Sequence, residues 1–133
     1  MRMNRGFTLM EMMLVLAVIA MIVGITASFI STTDTKYPEA NMRLNNLVTK
    51  VLGFRAMAGR LPTQTEGLEA LVNKPAGFNK PWQSSLYAED LLDPWGKPFQ
   101  YRNPAKRSKA GFDLFSMGAD GRENTDDDVG NWR

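Results

Sequence analysis

Apolar residues are concentrated at the amino-terminal end of the 133-residue chain. From residue 7 to residue 30 the only clearly polar side chains are those of Thr8, Glu11, Thr26 and Ser28. A helix over this segment would be about 36 Å long, which is enough to cross a bilayer core of about 30 Å. The pattern therefore predicts a membrane-spanning helix over residues 7–30.

Glu11 is the feature of this segment that needs an explanation. A charge inside a membrane costs about 3 kcal/mol or more, so such residues are treated as functional. A cleaved secretory signal would fit the basic start and the sequence GITAS, and a plain anchor would fit the length. Only a segment that leaves the bilayer to pack against copies of itself gives Glu11 a task, because a neighbouring cation would neutralise it.

The residues RGFTLMEMMLVLAVIAMIV, 5–23, resemble the class III signal of type IV pilins and type II secretion pseudopilins. That resemblance implies cleavage by a prepilin peptidase between Gly6 and Phe7, followed by methylation of the new amino-terminal Phe7. Glu11 then matches the family glutamate, the fifth residue of the mature chain. It would pair with the Phe7 ammonium of an adjacent subunit and fix the stagger of the helices.

The chain after the apolar run predicts a second helix. Pro38 suits a first turn, apolar residues then recur at helical spacing, and Gly59 is a stop signal. These apolar residues form the predicted core face of the helix: Leu44, Leu47, Val48, Val51 and Leu52.

Sequence signals for shorter structural elements follow this helix. Thr63 and Glu66 form a capping-box pattern ahead of a short helix that Pro75 would close. Residues 74–98 predict a loop, pinned by three aromatic residues: Trp82, Tyr87 and Trp95. The stretches PFQYR and GFDLFSMG then alternate like two strands joined by the basic turn NPAKRSKA, which predicts an antiparallel hairpin.

The amino-acid composition excludes several kinds of functional site. The chain contains no cysteine and no histidine, which excludes disulfides, thiolate catalysis, zinc sites built on Cys and His, and imidazole acid/base chemistry. The formal net charge of +2 comes from two arginines, Arg2 and Arg5, in the first six residues. Because the remainder is neutral, nothing indicates nucleic acid as a partner. The two arginines keep the amino-terminal end cytoplasmic by the positive-inside rule.

The carboxy-terminal sequence GADGRENTDDDVGNW places four aspartates within nine residues. Such oxygen ligands suit calcium, but their spacing does not follow an EF-hand loop, so composition alone favours a solvated acidic turn. Three stretches together resemble the major pseudopilins of type II secretion over nearly the whole mature chain: LPTQTEGLEALV, DPWGKPFQYR, and FDLFSMGADG with DDDVGNW.

This resemblance implies a calcium ion bound in the carboxy-terminal loop. Asp120, Asp126 and Asp128 match the family's aspartates, and Met117 and Val129 would contribute backbone carbonyls. Asp127 stands where the family usually has a small residue, and the loop before it is shorter than usual. Leu52 and Leu61 replace family aromatics, and the family's proline near the end of the apolar run is absent.

The implied fold is α+β and type IV pilin-like. A long amino-terminal helix with a hydrophobic transmembrane half packs on a small carboxy-terminal antiparallel sheet and loops. We therefore expect a cleaved leader over residues 1–6, a transmembrane and fibre-core helix over residues 7–30, and a periplasmic globular domain over residues 31–133.

The implied function is structural: the major subunit of a periplasmic pseudopilus that serves protein export. Its implied partners are copies of itself, minor pseudopilins, the prepilin peptidase, an inner-membrane assembly platform with its ATPase, and inner-membrane lipid before assembly. The alternatives are a minor pseudopilin or a type IV pilin, and a membrane-tethered periplasmic enzyme. The last has little support, because no carboxylate pair suited to catalysis lies outside the acidic turn.

Overall fold

The computed structural model describes residues 6–29 and 32–133, with side chains described outside residues 25–34. It divides the chain into two compact units, the first ending at Asp34 and the second spanning Thr35–Arg133. Two long helices precede a small antiparallel sheet, which confirms the α+β class. The residues before Gly6 and the predicted boundary between residues 30 and 31 lie outside the described residues.

Helix α1 spans Leu9–Phe29. Thr8 caps it, because the Glu11 N–H points to both the carbonyl and the hydroxyl of Thr8. The described side chains of α1 are exposed on every side of the helix, and most of them are large and apolar. Within the described residues, no helix combines the length and apolar character needed to cross a membrane.

Helix α2 spans Thr32–Ala58 and begins six residues earlier than the sequence predicts. Pro38 therefore lies inside the helix rather than at its first turn. Packing explains the difference, since Ala40 is fully buried and the Tyr37 ring meets the Trp95 ring edge-on at 5.1 Å. These contacts hold the backbone helical around a proline whose own side chain is exposed.

One face of α2 supplies the centre of the core. Its buried residues recur every three or four positions: Ala40, Leu44, Leu47, Val51, Phe54 and Ala58. Val48 is half-buried, but Leu52 is 43% exposed, so its predicted place in the core is wrong. Consecutive helix residues lie 100° apart around the axis, so Leu52 points away from the buried face that contains Val51. Gly59 ends the helix at a φ of +78°, as predicted.

The two hydrogen bonds of the predicted capping box at Thr63 and Glu66 are present, but they close the turn before the next helix, which begins at Gly67. The Thr63 hydroxyl accepts the Glu66 N–H at 3.2 Å, and the Glu66 carboxylate accepts the Thr63 N–H at 2.8 Å. Arg60 donates two further hydrogen bonds to the same carboxylate, at 2.7 and 2.8 Å. The helix that follows is a 3₁₀ helix over Gly67–Leu71, which contributes Leu68 and Leu71 to the core.

The long loop after this helix is pinned by two of the three predicted aromatics. The Trp82 indole N–H donates to the Ala70 carbonyl at 3.1 Å, and Trp95 packs on Tyr37. Tyr87 is 81% exposed and does not pin the loop. It instead precedes a short 3₁₀ helix, Ala88–Leu91, and its N–H donates to the Asp90 carboxylate at 2.8 Å.

The predicted hairpin is confirmed and is part of a three-stranded sheet. Strand β1 is Gln100–Arg102, β2 is Asp113–Ser116 and β3 is Val129–Gly130, in the order β1-β2-β3 with antiparallel pairing. All four residues of β2 are buried, as expected for a central strand that packs on α2. Strand β3 escapes the sequence analysis because two residues carry no periodicity.

Glu66 should make the stability of the fold pH-dependent. The hydrogen bonds from Arg60 lower the pKa of Glu66 from 4.5 to about 2. Its ionised form therefore stabilises the fold fully above pH 4.5, and this stabilisation is lost as the pH falls toward 2. We expect Glu66→Gln to lower the free energy of unfolding by about 1–2 kcal/mol at pH 7 and by much less near pH 2.

Urea unfolding of the full chain in mild detergent, followed from pH 2 to pH 7, measures this effect. Glu89→Gln is the matched control, because the Glu89 side chain is exposed. If the stability curves of the Glu66→Gln and Glu89→Gln variants have the same pH dependence, the role assigned to Glu66 is wrong.

Candidate functional site

The predicted processing site lies just before α1. In the part of the chain that the structure describes, no atom lies within 4 Å of the position a Cβ of residue 6 would occupy, and the Phe7 side chain is 76% exposed. Neither residue is part of the helix, which begins at Leu9. An enzyme that cuts between residues 6 and 7 would therefore meet an accessible, non-helical peptide bond.

Glu11 lies in the first turn of α1, two residues after the helix begins. A negative charge is favoured there, because the free N–H groups make a helix amino-terminus partly positive. The side chain is exposed, and the ion pairs found among the described residues do not include it. The carboxylate therefore remains available to a cation outside the described chain.

The carboxy-terminal acidic loop joins β2 to β3. It closes on itself where Gly118 meets Asp127, since a Cβ at residue 118 would lie 2.5 Å from the Asp127 carbonyl oxygen. The Asp120 N–H also donates to the Asp127 carboxylate at 3.1 Å. Asp127, whose role the sequence leaves open, therefore brings the two sides of the loop together.

Asp128 is the buried carboxylate of this loop, with 1% of its surface exposed. Its Oδ2 accepts the Asn124 N–H at 2.8 Å and lies 3.7 Å from the Arg107 guanidinium. Its Oδ1 is buried and has no hydrogen-bond partner among the described residues. Leaving such an oxygen unsatisfied is costly, so it is the atom of the loop best suited to receive a cation.

The other two predicted carboxylate ligands of calcium do not cluster with Asp128 in the described chain. Asp120 and Asp126 are exposed, and the Asp120 carboxylate accepts the Arg122 N–H at 2.8 Å. In the part of the chain that the structure describes, no three carboxylates come together as a metal site would require. Met117 is half-buried next to β2, and Val129 is buried and pairs with Ser116. A cation here would depend on Asp128 and on backbone carbonyls.

Two buried residues behind the loop escape the sequence analysis. Asp93, in the DPWG turn, accepts the N–H groups of Trp95 and Lys97 at 3.0 and 2.8 Å. It also accepts the Ser116 hydroxyl at 2.6 Å, and Ser116 in turn accepts the Gly118 N–H at 3.1 Å. This chain of hydrogen bonds ties the turn to the start of the acidic loop. The contact between Asp93 and Ser116 has no signal in the sequence.

Asp113 anchors the basic turn between β1 and β2 in the same way. It is fully buried and accepts the backbone N–H groups of Lys106, Arg107 and Ser108 at 2.7–3.2 Å. Burial alone would raise the pKa of Asp113, but these three donors and the Arg102 guanidinium outweigh it and lower the pKa. The sequence analysis treats this position only as part of a strand.

Asn131 extends the sheet beyond β3. Its side-chain oxygen accepts the Leu114 N–H at 3.1 Å, and its amide donates to the Phe112 carbonyl at 3.0 Å. The side chain thus replaces a strand residue in the ladder next to β2. The carboxy-terminal segment is therefore tied to β2 by side-chain hydrogen bonds as well as by its strand pairing.

Two family models match the chain. The model described as type II secretion system protein G matches residues 29–132, and a prokaryotic N-terminal methylation motif matches residues 1–27. The second match covers the predicted processing site and Glu11.

Similar proteins are known from several bacteria. The type II secretion system core protein G of Pseudomonas aeruginosa is 34% identical, over 98% of this chain and 96% of that protein. The protein of the same name in Vibrio cholerae is also 34% identical, over 99% of this chain and 94% of its own length.

A solved structure is similar as well. It is the major pseudopilin of the type 2 secretion system of enterohaemorrhagic Escherichia coli, with 35% identity and a TM-score of 0.62 over 74% of this chain and 88% of that one. The expected pilin-like fold is confirmed by this likeness.

The close approach of Gly118 to Asp127 can be tested by substitution. Gly118→Ala would place a Cβ 2.5 Å from a backbone oxygen, at a φ of +63°. Gly77→Ala is the matched control, since its φ is +72° and no atom lies within 4 Å of the added Cβ. Both variants carry the positive-φ strain of about 1–2 kcal/mol.

We expect Gly118→Ala to lower the free energy of unfolding by about 1–3 kcal/mol more than Gly77→Ala, because only the first opens the loop. Urea unfolding of the two variants measures the difference. Equal destabilisation would mean that the contact between residues 118 and 127 does not hold the loop.

Proposed function

This chain belongs to the type II secretion system protein G family and is a structural subunit of the pseudopilus, and we propose that it is the major subunit. Its function in this proposal is assembly. A prepilin peptidase cuts between Gly6 and Phe7 and methylates Phe7, and the mature chains then pack helix against helix in a fibre. The observation that carries the proposal is the placement of Glu11 in an exposed apolar helix, four residues after Phe7.

The apolar surface of α1 drives this assembly. Burial of apolar surface contributes about 25 cal/mol per Å², and the described side chains of α1 are exposed along the helix. In the membrane, lipid covers this surface. In the fibre, the helices of neighbouring subunits cover it, so a subunit leaves the bilayer without exposing apolar side chains to water.

Glu11 sets the register of the packed helices. Cleavage before Phe7 creates a new ammonium group, and Glu11 of the adjacent subunit neutralises it. Removing one partner of a buried ion pair is strongly destabilising, because it leaves an uncompensated charge. A misaligned helix would carry that cost at both groups, so the pair selects one stagger.

The proposed location follows from the family and the charge pattern. Residues 7–30 anchor the chain once in the inner membrane, with Arg2 and Arg5 on the cytoplasmic side and residues 31–133 in the periplasm. An assembly platform with its ATPase extracts the subunit, and minor pseudopilins join the same fibre. The methylation motif supports this topology.

We propose calcium as a ligand of the acidic loop. Asp128 Oδ1, which has no hydrogen-bond partner within the described part of the chain, is the anchoring ligand. The carbonyls of Met117 and Val129 are further ligands in this proposal. Asp120 and Asp126 are exposed and do not cluster with Asp128 among the described residues, so the ion would have to draw them toward it. The ion would supply positive charge that links the two sides of the loop. No catalytic role is proposed, because the chain has no His or Cys and its buried carboxylates anchor turns.

Processing is the first test of this function. When the chain is expressed with a prepilin peptidase, we expect it to lose its first six residues, as intact mass and amino-terminal sequencing would show. The control is expression without the peptidase, which should leave the full chain. Cleavage near Ala27 instead would identify a secreted soluble protein and contradict the proposal.

Glu11 provides the second test. Glu11→Ala should still be shortened by six residues but should yield few or no fibres, because the Phe7 ammonium loses its partner. Glu39→Ala is the control, since Glu39 makes an exposed pair with Arg43 on α2. Fibre yield, measured by shearing and electron microscopy, should be normal for the control. A normal yield from Glu11→Ala would refute the pairing.

Calcium is tested by thermal unfolding of the full chain in mild detergent. Calcium at 100 times its Kd should stabilise the fold by about 2.7 kcal/mol, which raises the Tm by several degrees relative to chelator. Asp120→Ala or Asp128→Ala should abolish this response, whereas Glu89→Ala should retain it. If the wild-type melting curve is the same in calcium and in excess chelator, calcium has no part in the account.

A further inference from the structure

Arg107 is the basic residue that the fold brings to the buried carboxylate of the acidic loop. Its backbone N–H is held by Asp113, 3.2 Å from both carboxylate oxygens. Its guanidinium carbon lies over the Trp132 ring, 4.2 Å from the ring centroid. The backbone of Arg107 is therefore fixed, while its guanidinium rests on the Trp132 ring and 43% of the side chain is exposed. The positive charge of Arg107 therefore lies beside the acidic loop.

Trp132, the platform for this cation, is itself fixed. Its ring packs on the Phe115 ring with centroids 5.3 Å apart. It also covers Gly130, where an added Cβ would lie 2.5 Å from ring carbons. A guanidinium stacked on an aromatic face gains a cation–π attraction that an ammonium in water would not. The ring thus holds Arg107 beside the acidic loop rather than in solvent.

The target of Arg107 is Asp128. Its Nη1 lies 3.7 Å from Asp128 Oδ2, on the carboxylate whose other oxygen has no partner. Asp128 is only 1% exposed, and burying a carboxylate charge without a positive partner is costly. Among the described residues, Arg107 is the one basic side chain that forms an ion pair with it.

We propose that Arg107 is an internal counter-cation of Asp128: it neutralises this carboxylate when calcium is absent and competes with calcium for it. The inference rests on the calcium site proposed above. A divalent ion bound to Asp128 would lie close to the guanidinium and be repelled by it. Because Arg107 is partly exposed, it can swing into water and leave Asp128 to the ion. The loop consequently keeps its position over a range of calcium concentrations.

The experiment compares Arg107→Gln with Lys109→Gln in the full chain in mild detergent. Lys109 is an exposed residue of the same turn, so both variants lose one positive charge, but only the first loses the contact with Asp128. Calcium binding is measured by calorimetry, and the Tm is measured in excess chelator. Arg107→Met is a third variant, which keeps an apolar side chain beside Trp132 and removes the guanidinium with its charge and its N–H donors.

We expect Arg107→Gln and Arg107→Met to bind calcium about tenfold more tightly than wild type, because the competing charge is gone. In chelator, their Tm should fall by about 4 °C or more below that of Lys109→Gln, because Asp128 loses its counter-cation. Lys109→Gln should bind calcium like wild type.

The contradicting results are distinct. If wild type binds calcium and Arg107→Gln matches Lys109→Gln in both measurements, Arg107 is not a counter-cation, and the calcium site stands. If no variant binds calcium, both the competition and the calcium site fail, while assembly through Glu11 is unaffected. Weaker calcium binding by Arg107→Gln would also overturn the proposal, since Arg107 would then support the ion.

Discussion

The apolar surface of α1, interrupted by one carboxylate, is the constraint on which the function of this chain depends. That surface must be covered by lipid or by other helices, and Glu11 must be neutralised wherever the cover excludes water. The assembly proposed above would meet both needs with one arrangement, in which each molecule supplies the apolar cover and the cation for the next. Glu11 lies in the first turn of the helix, four residues after Phe7, so the proposed cleavage would place the new amino-terminus close to it in sequence.

The globular unit meets a different constraint, because its carboxy-terminal half has short strands and long loops. Its apolar core comes from one face of α2 and from the central strand β2. The loops are fixed by buried carboxylates, each assigned to one segment: Asp93 to the DPWG turn, Asp113 to the basic turn and Asp128 to the acidic loop. A buried carboxylate that accepts several N–H groups specifies a loop conformation more narrowly than apolar packing does. This helps explain how a chain without disulfides can present an ordered surface for polymerisation.

Much of this fold could be predicted from local signals. The two helices, the stop at Gly59, the capping box and the hairpin all follow from spacing or from turn residues, and the structure confirms them. The errors have tertiary causes. Pro38 lies inside α2 because Tyr37 and Ala40 are packed on either side of it. Leu52 is exposed because the buried face of α2 is narrower than the set of apolar residues in its sequence. The pairs Asp93 with Ser116 and Arg107 with Asp128 are 23 and 21 residues apart, and no local pattern indicates them. For the acidic loop, the resemblance to the family indicates which aspartates would bind calcium. Only the structure shows that Asp128 is buried and that Asp120 and Asp126 are exposed.

A density map of the assembled fibre tests the central claim most directly, because it locates Glu11 relative to the adjoining subunit. The account predicts that the Glu11 carboxylate lies within about 4 Å of the Phe7 amine of the next protomer, inside a water-free bundle of helices. A map in which Glu11 faces solvent, or in which no amine of a neighbouring subunit reaches it, would contradict the account.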